Sequence, residues 1–149
     1  MKSLFETADR EALLARLEAL QTGSTHQWGK MNPAQAVAHC AAALETATGH
    51  RPLKQVFLGK ILTPFIRSSI LSDKPFSRNS PTDPTFVVAD QRDLDRERER
   101  LRGLIQSLVD RGPDEAGKAT HSFFGKLSGA EWGCLMYKHI DHHLQQFGA

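Results

Sequence analysis

The chain has 149 residues, 40% of them hydrophobic and 24% charged, with a formal net charge of +2. That length suits a single domain burying roughly two-thirds of its unfolded surface, and so small a charge argues against a nucleic-acid partner. No apolar run approaches the roughly 18 residues of a membrane span, acidic residues arrive too early for a signal peptide, and Cys40 and Cys134 form neither a disulfide framework nor a redox motif, so a reducing cytoplasm is the expected setting.

In chain order, the first predicted helix runs from about Asp9 to Gln21, with Leu13, Leu14, Leu17 and Leu20 on one face. The second opens at Asn32-Pro33-Ala34-Gln35, a cap residue, a proline at the first helical position and a Gln three places after the cap, and continues to Gly49. Leu53 to Leu71 is apolar and basic. Its pairs Phe57-Leu58, Ile61-Leu62 and Phe65-Ile66 recur every four residues, which suits one or two short helices, and Pro64 argues against one straight helix. This segment is expected to be buried in the bundle or at a homodimer contact. Its Lys54, Lys60 and Arg67 are also compatible with an interfacial helix on a partner or membrane surface.

Prolines with Ser, Asn and Asp from Asp73 to Pro84 mark a long connection of the kind used for lids or flexible segments. A third long helix is predicted from about Asp90 to Arg111, its alternating acids and arginines reading as a solvated face laced with i,i+4 pairs. The last helix starts at the capping box Ser128-Gly129-Ala130-Glu131 and ends near Phe147. Thr85-Phe86-Val87-Val88 is too short to carry a sheet, and no other convincing strand appears. The predicted class is all-α, a four-helix bundle with a long, partly helical excursion between its second and third long helices, all in one domain spanning residues 1–149.

Within the last helix, His139 and His143 are spaced i,i+4. At 100° per residue from Trp132 they fall at about 340° and 20°, on the face of Met136 and Phe147. Two inward imidazoles one turn apart can reach one divalent ion. Histidines near a helix C-terminus also complement its dipole, but that role needs no inward direction. His39 is the leading third ligand, because Gln35 and His39 are the only strongly polar residues from Ala34 to Leu44. It lies off the Val37/Cys40/Ala41/Leu44 stripe, so a surface or helix-interface histidine is an equal reading unless the second helix is sandwiched between two neighbours. Gln146 shares the His139 face and could hold a ligand's second ring nitrogen. His142, flanking that face, is a candidate outer-shell or substrate contact, and His121 a weaker one; His26 and His50 suit loop or helix-end positions. Ile140 stands where a zincin carries its glutamate, and neither a Glu-x-x-His pair feeding the core nor a G-x-S-x-G elbow is present.

Four segments carry a resemblance. They are Trp28-Gly29-Lys30-Met31-Asn32-Pro33 leading to His39, His121-Ser122-Phe123-Phe124-Gly125, Glu131-Trp132-Gly133, and His139-Ile140-Asp141-His142-His143-Leu144-Gln145-Gln146-Phe147-Gly148. Together they resemble the DinB/YfiT-like superfamily of four-helix metalloenzymes, in a branch of uncharacterised function. The resemblance implies one divalent ion, zinc or nickel, on His39, His139 and His143. It also implies a small-molecule substrate, with a low-molecular-weight thiol as co-substrate of a transferase. The usual ending of that superfamily resembles His-Glu-x-His-His-Arg-Gly-Gln, and this chain departs from it at Ile140, Leu144 and Gln145. Those departures bear on the thiol more than on the metal. A metal-dependent hydrolase is the enzymatic alternative, and a non-enzymatic binding or assembly module using residues 53–71 is the other.

Overall fold

The computed structural model describes residues 1–80 and 82–149, with Ile70 described by its backbone only. Pro81, one of the prolines in the expected 73–84 connection, lies outside the described residues. Among the described residues there are five α-helices: α1 (Thr7–Ala19), α2 (Pro33–Ala47), α3 (Phe57–Ile70), α4 (Leu94–Ala116) and α5 (Gly129–Gln146). The chain is mostly helical, as an all-α class requires. No helix is long and apolar enough to cross a membrane among these residues.

Both predicted capping boxes form. The Asn32 carboxamide accepts from the Gln35 backbone N–H while the Gln35 side chain accepts from that of Asn32, and Ser128 and Glu131 exchange the same pair of bonds at the start of α5. Each box satisfies two helix-start donors that would otherwise lack partners.

α2 is buried on every side except at Gln35 and Glu45. It lies against α4 and α5, and α1 packs on α5 and α4. Seven alanines along α2 let its neighbours come close. Around it the core is filled by Leu13 and Leu17 of α1, Leu101, Ile105 and Leu108 of α4, and Trp132, Met136, Ile140 and Leu144 of α5. The buried surface of α5 is therefore wider than the stripe read from Trp132, because Ile140 and Leu144 are each only 2% exposed.

Three expectations are corrected. First, the acidic and basic run enters α4 only at Leu94, where the Asp93 carboxylate caps by accepting from the Arg96 N–H. Most of the run is solvated, as expected, but Glu97 is buried between Arg92 and Arg100. Arg100 also reaches Glu45 of α2, Arg102 reaches Glu18 of α1, and Arg98 donates to the carbonyls of Leu17 and Leu20. Within the run Arg98 pairs with Asp95 and Arg100 with Glu97 at i,i+3 while Arg92 pairs with Asp90 and Glu97, and Arg98, Arg100 and Arg102 also tie α4 to its neighbours. The helix also passes Arg111, breaking at Gly112 (φ 78°, ψ 171°) and resuming with Pro113. Glycine tolerates that dihedral and proline suits the first residue of the new turn.

Second, a minimal antiparallel hairpin, β1 (Thr120–His121) with β2 (Gly125–Lys126), stands where no strand was expected. Two-residue strands are too short to show alternation in the sequence. Pro84–Phe86 forms a 3-10 turn.

Third, α3 runs as one helix through Pro64, and its apolar residues Phe57, Leu58, Ile61, Leu62 and Phe65 are exposed rather than buried in the core. Proline removes one helical N–H, so the Lys60 carbonyl loses its partner, but Lys60 and Pro64 are both exposed and water can take that bond. The inward side of α3 holds Gly59, Thr63 and Arg67 instead. Thr63 Oγ1 and Gln55 Nε2 both donate to the Phe123 carbonyl (3.0 and 2.8 Å), and Arg67 grips Glu131 with two bonds of 2.7 Å.

Candidate metal centre

The sandwiching of α2 between α4 and α5 decides the position of His39. Every face of the helix is interior, so a residue off the main apolar stripe still points into the molecule, and His39 is only 3% exposed. Facing it are His139 and His143 of α5, both half-buried. The three imidazoles form a nearly equilateral triangle, with ring centroids 4.9 Å (His39–His139), 4.8 Å (His39–His143) and 4.9 Å (His139–His143) apart. One nitrogen from each ring can be chosen so that all three lie within 4.8 Å of one another. Two nitrogens bound to a tetrahedral zinc ion at 2.0–2.1 Å would be about 3.3 Å apart. The His39 Nε2 to His139 Nε2 distance is 3.0 Å, so little movement separates the observed rings from a ligating arrangement.

Outer partners orient two of the rings. His39 Nδ1–H donates to the Phe86 carbonyl at 2.8 Å, which leaves the Nε2 lone pair facing the other histidines. Gln146 Nε2 donates to the Trp28 carbonyl at 2.5 Å, so its amide oxygen is the atom turned to His143 and accepts from Nδ1–H at 3.0 Å. His143 is thereby also held with a free Nε2. In the bond between His39 and His139, His39 Nε2 can only accept, so His139 Nε2 carries the proton. His139 is therefore the ring whose tautomer must change for all three to ligate through Nε2.

The electrostatics favour neutral rings. Burial pulls His39 below the ordinary imidazole range despite its bond to Phe86. Burial and then the charge that His39 would carry lower His143 to about 3, and the same causes hold His139 well below its usual value. Neutral imidazole is the form that binds a metal. By distance, donor type and protonation, the three residues fit a divalent cation.

Gln146 stands beside His143, and Gly29 explains how. With φ +81° and an ideal Cβ only 2.3 Å from Gln146 Nε2, position 29 admits no larger side chain without displacing the glutamine. His142 lies outside the triangle, its ring between Trp28 (5.6 Å) and Phe76 (5.8 Å) and 5.3 Å from His143. Arg78 stacks on Trp28 and Lys138 on Phe76, so the surroundings of His142 are aromatic and edged by cations. His121 is also separate. Its Nδ1 accepts from the N–H groups of Phe123 and Phe124, and its ring lies beside Trp132 at 5.6 Å. Burial takes His121 to about 4 despite the opposing pull of Asp83. His26 and His50 are exposed. Cys40 is buried, and burial raises its thiol pKa far above the usual range.

Two contributors have no side-chain signature in the sequence: the Phe86 and Trp28 carbonyls. Backbone acceptors are common to every residue, and only the glycine after Trp28 hints at a close approach. Phe86 also borders a cavity of about 670 Å³ rimmed by Arg51, Arg92, Arg96 and Arg100, and none of the three histidines lines it.

A family model described as protein of unknown function (DUF1569) matches residues 2–149, and the chain belongs to that family. No curated protein matches the chain, and no solved structure does.

Proposed function

We propose that this protein is a divalent-metal enzyme of the DinB/YfiT-like kind, in which α1, α2, α4 and α5 make a four-helix bundle and His39, His139 and His143 hold zinc or nickel. The observation that carries this reading is the triangle of three neutral imidazoles at mutual centroid distances of 4.8–4.9 Å. When bound by three neutral ligands, such an ion keeps its full charge and an open position, and supplies Lewis acidity toward water, a thiol or a carbonyl oxygen. The chain's own part is to hold the rings. Phe86 and Gln146 orient His39 and His143, and outer partners of this kind contribute about 10–100-fold in metal affinity.

The substrate in this reading is a small electrophile, transferred to a low-molecular-weight thiol, in the cytoplasm, where free Cys40 and Cys134 would stay reduced. His142, between Trp28 and Phe76, is the residue best placed to meet it, with His121 as a further candidate contact. Metal-dependent hydrolysis is the second reading, favoured by one observation. Ile140 and Leu144, at positions where the usual ending of the superfamily resembles Glu and Arg, are core side chains, which leaves water as the simpler nucleophile.

Elemental analysis of untagged, chelator-free protein is the test, alongside a folded His139→Ala/His143→Ala variant. About one zinc or nickel per chain, lost in the variant, is the expected result and would justify assays pairing thiols with electrophiles. Little metal, with no uptake of zinc, nickel or manganese, would overturn the enzyme reading and leave a binding or assembly module.

A further inference from the structure

We propose that the outward face of α3 is the contact between two copies of this chain, paired antiparallel through Phe57, Leu58, Ile61, Leu62 and Phe65. The helix is seated with its sides reversed relative to an ordinary surface helix. Phe57 is 78% exposed, Leu58 58%, Ile61 49%, Leu62 37% and Phe65 79%, while Gly59 and Thr63 are buried.

This seating cannot be undone by rolling the helix inward. A Cβ at Gly59 would lie 2.2 Å from the Phe123 carbonyl oxygen, so the inward side is matched to a close backbone approach that only glycine permits. Thr63 and Gln55 donate to that same carbonyl, the Val56 N–H donates to Ser122, and Arg67 is locked to Glu131. The apolar face is thus held toward the outside by specific contacts.

Area and symmetry argue for a second copy as the occupant. With Val56, the six side chains present about 600 Å² of apolar surface, at the upper limit of what a monomer exposes and most of the ~800 Å² per partner in a standard interface. The stripe is also nearly self-complementary. A two-fold axis between Ile61 and Leu62 sets Ile61 against Leu62 of the second copy and Phe65 against its Leu58, as an isologous interface requires. Lys60 lies at the edge of the stripe, about 60° around the helix from Phe57, and none of the five stripe residues carries a charge. A lipid surface is served less well, because Arg67 is engaged by Glu131 and only Lys54 and Lys60 remain near the face to meet anionic headgroups.

The experiment is sedimentation equilibrium of the full chain across micromolar concentrations, with Phe57→Glu/Phe65→Glu beside it and circular dichroism and zinc binding measured on both. A wild-type mass of twice the 16.6 kDa chain, falling to the single-chain mass in the variant with helicity and zinc uptake kept, is expected. The milder Phe57→Ser/Phe65→Ser variant, which should weaken dimerisation at least 10-fold, replaces the double glutamate if that one loses helicity. A monomeric wild type, a dimer indifferent to these changes, or a monomer that co-sediments with anionic vesicles through α3 would overturn the proposal. Zinc uptake is read separately, so failure here leaves the metal site untouched, and the reverse also holds.

Discussion

The α2/α5 contact and the α3 segment use the same residue types in opposite ways. On α2 and the second half of α5, apolar side chains face inward and three histidines go with them, His39 because neighbouring helices cover every side of α2, and the half-buried His139 and His143 because their face of α5 meets His39. On α3, small and polar residues face inward and the large apolar ones face out. Polarity alone does not decide which side of a helix is buried. What decides is the nearest surface on offer: for α2, two apolar helices; for α3, a hairpin backbone with a carbonyl seeking donors at Phe123.

Breaking the site should have the largest effect. His139→Ala/His143→Ala should lower zinc affinity by more than about 100-fold, beyond the 10–100-fold expected of an outer partner, with helicity retained; isothermal titration and elemental analysis read it. Retained stoichiometric zinc would mean that the triangle is a packing arrangement.

Acid should loosen the metal-free protein through its buried histidines. His121, at about 4 when folded, against about 6.5 in an unfolded chain, stays neutral while the unfolded state takes up a proton. Between pH 6.5 and 4 the unfolded state therefore binds more protons, and stability falls as the pH drops through that window, by up to about 3 kcal/mol for this residue. Urea unfolding from pH 7 to 4 measures it, and His121→Phe should flatten part of the slope.

The seat of α3 is tested by Gly59→Val. The added side chain meets the Phe123 carbonyl, and the expected cost is ~2 kcal/mol, or release of the helix, seen as faster proteolysis within residues 57–70. Zinc uptake should survive. Loss of both together would show that the two regions are coupled more tightly than their separate contacts imply.

The smallest effect is expected at Gln146→Leu, which removes the acceptor for His143 Nδ1 and the donor to Trp28. A roughly 10-fold loss of zinc affinity is predicted. Gly29→Ala should mimic it by pushing the glutamine aside, a comparison that separates orientation of the ring from the chemistry of the amide.

Much of this was legible from local patterns. The capping boxes at Asn32 and Ser128 and the spacing of His139 and His143 follow from helical geometry, which is set by neighbours in the chain. His39 was not decidable in the same way, because its angle on α2 excludes it from the main stripe and only the number of helices packed around α2 makes that second face interior. α3 misled for a related reason. Its four-residue repeat correctly signalled a helix with an apolar side, yet a periodicity reports that two faces differ and not which of them meets the protein.

The sequence by itself determined the presence of the long helices, the capping boxes at Asn32 and Ser128, the four-residue repeat that makes α3 amphipathic and the spacing of His139 and His143, since each depends on residues within about one or two turns of one another. Only the tertiary structure decided that His39 completes the triangle and that the carbonyls of Phe86 and Trp28 orient it. The tertiary structure also turned the apolar face of α3 outward. Those outcomes join residues up to 118 positions apart through packing and backbone hydrogen bonds, and a backbone carbonyl carries no mark in the sequence that says which donor it will meet.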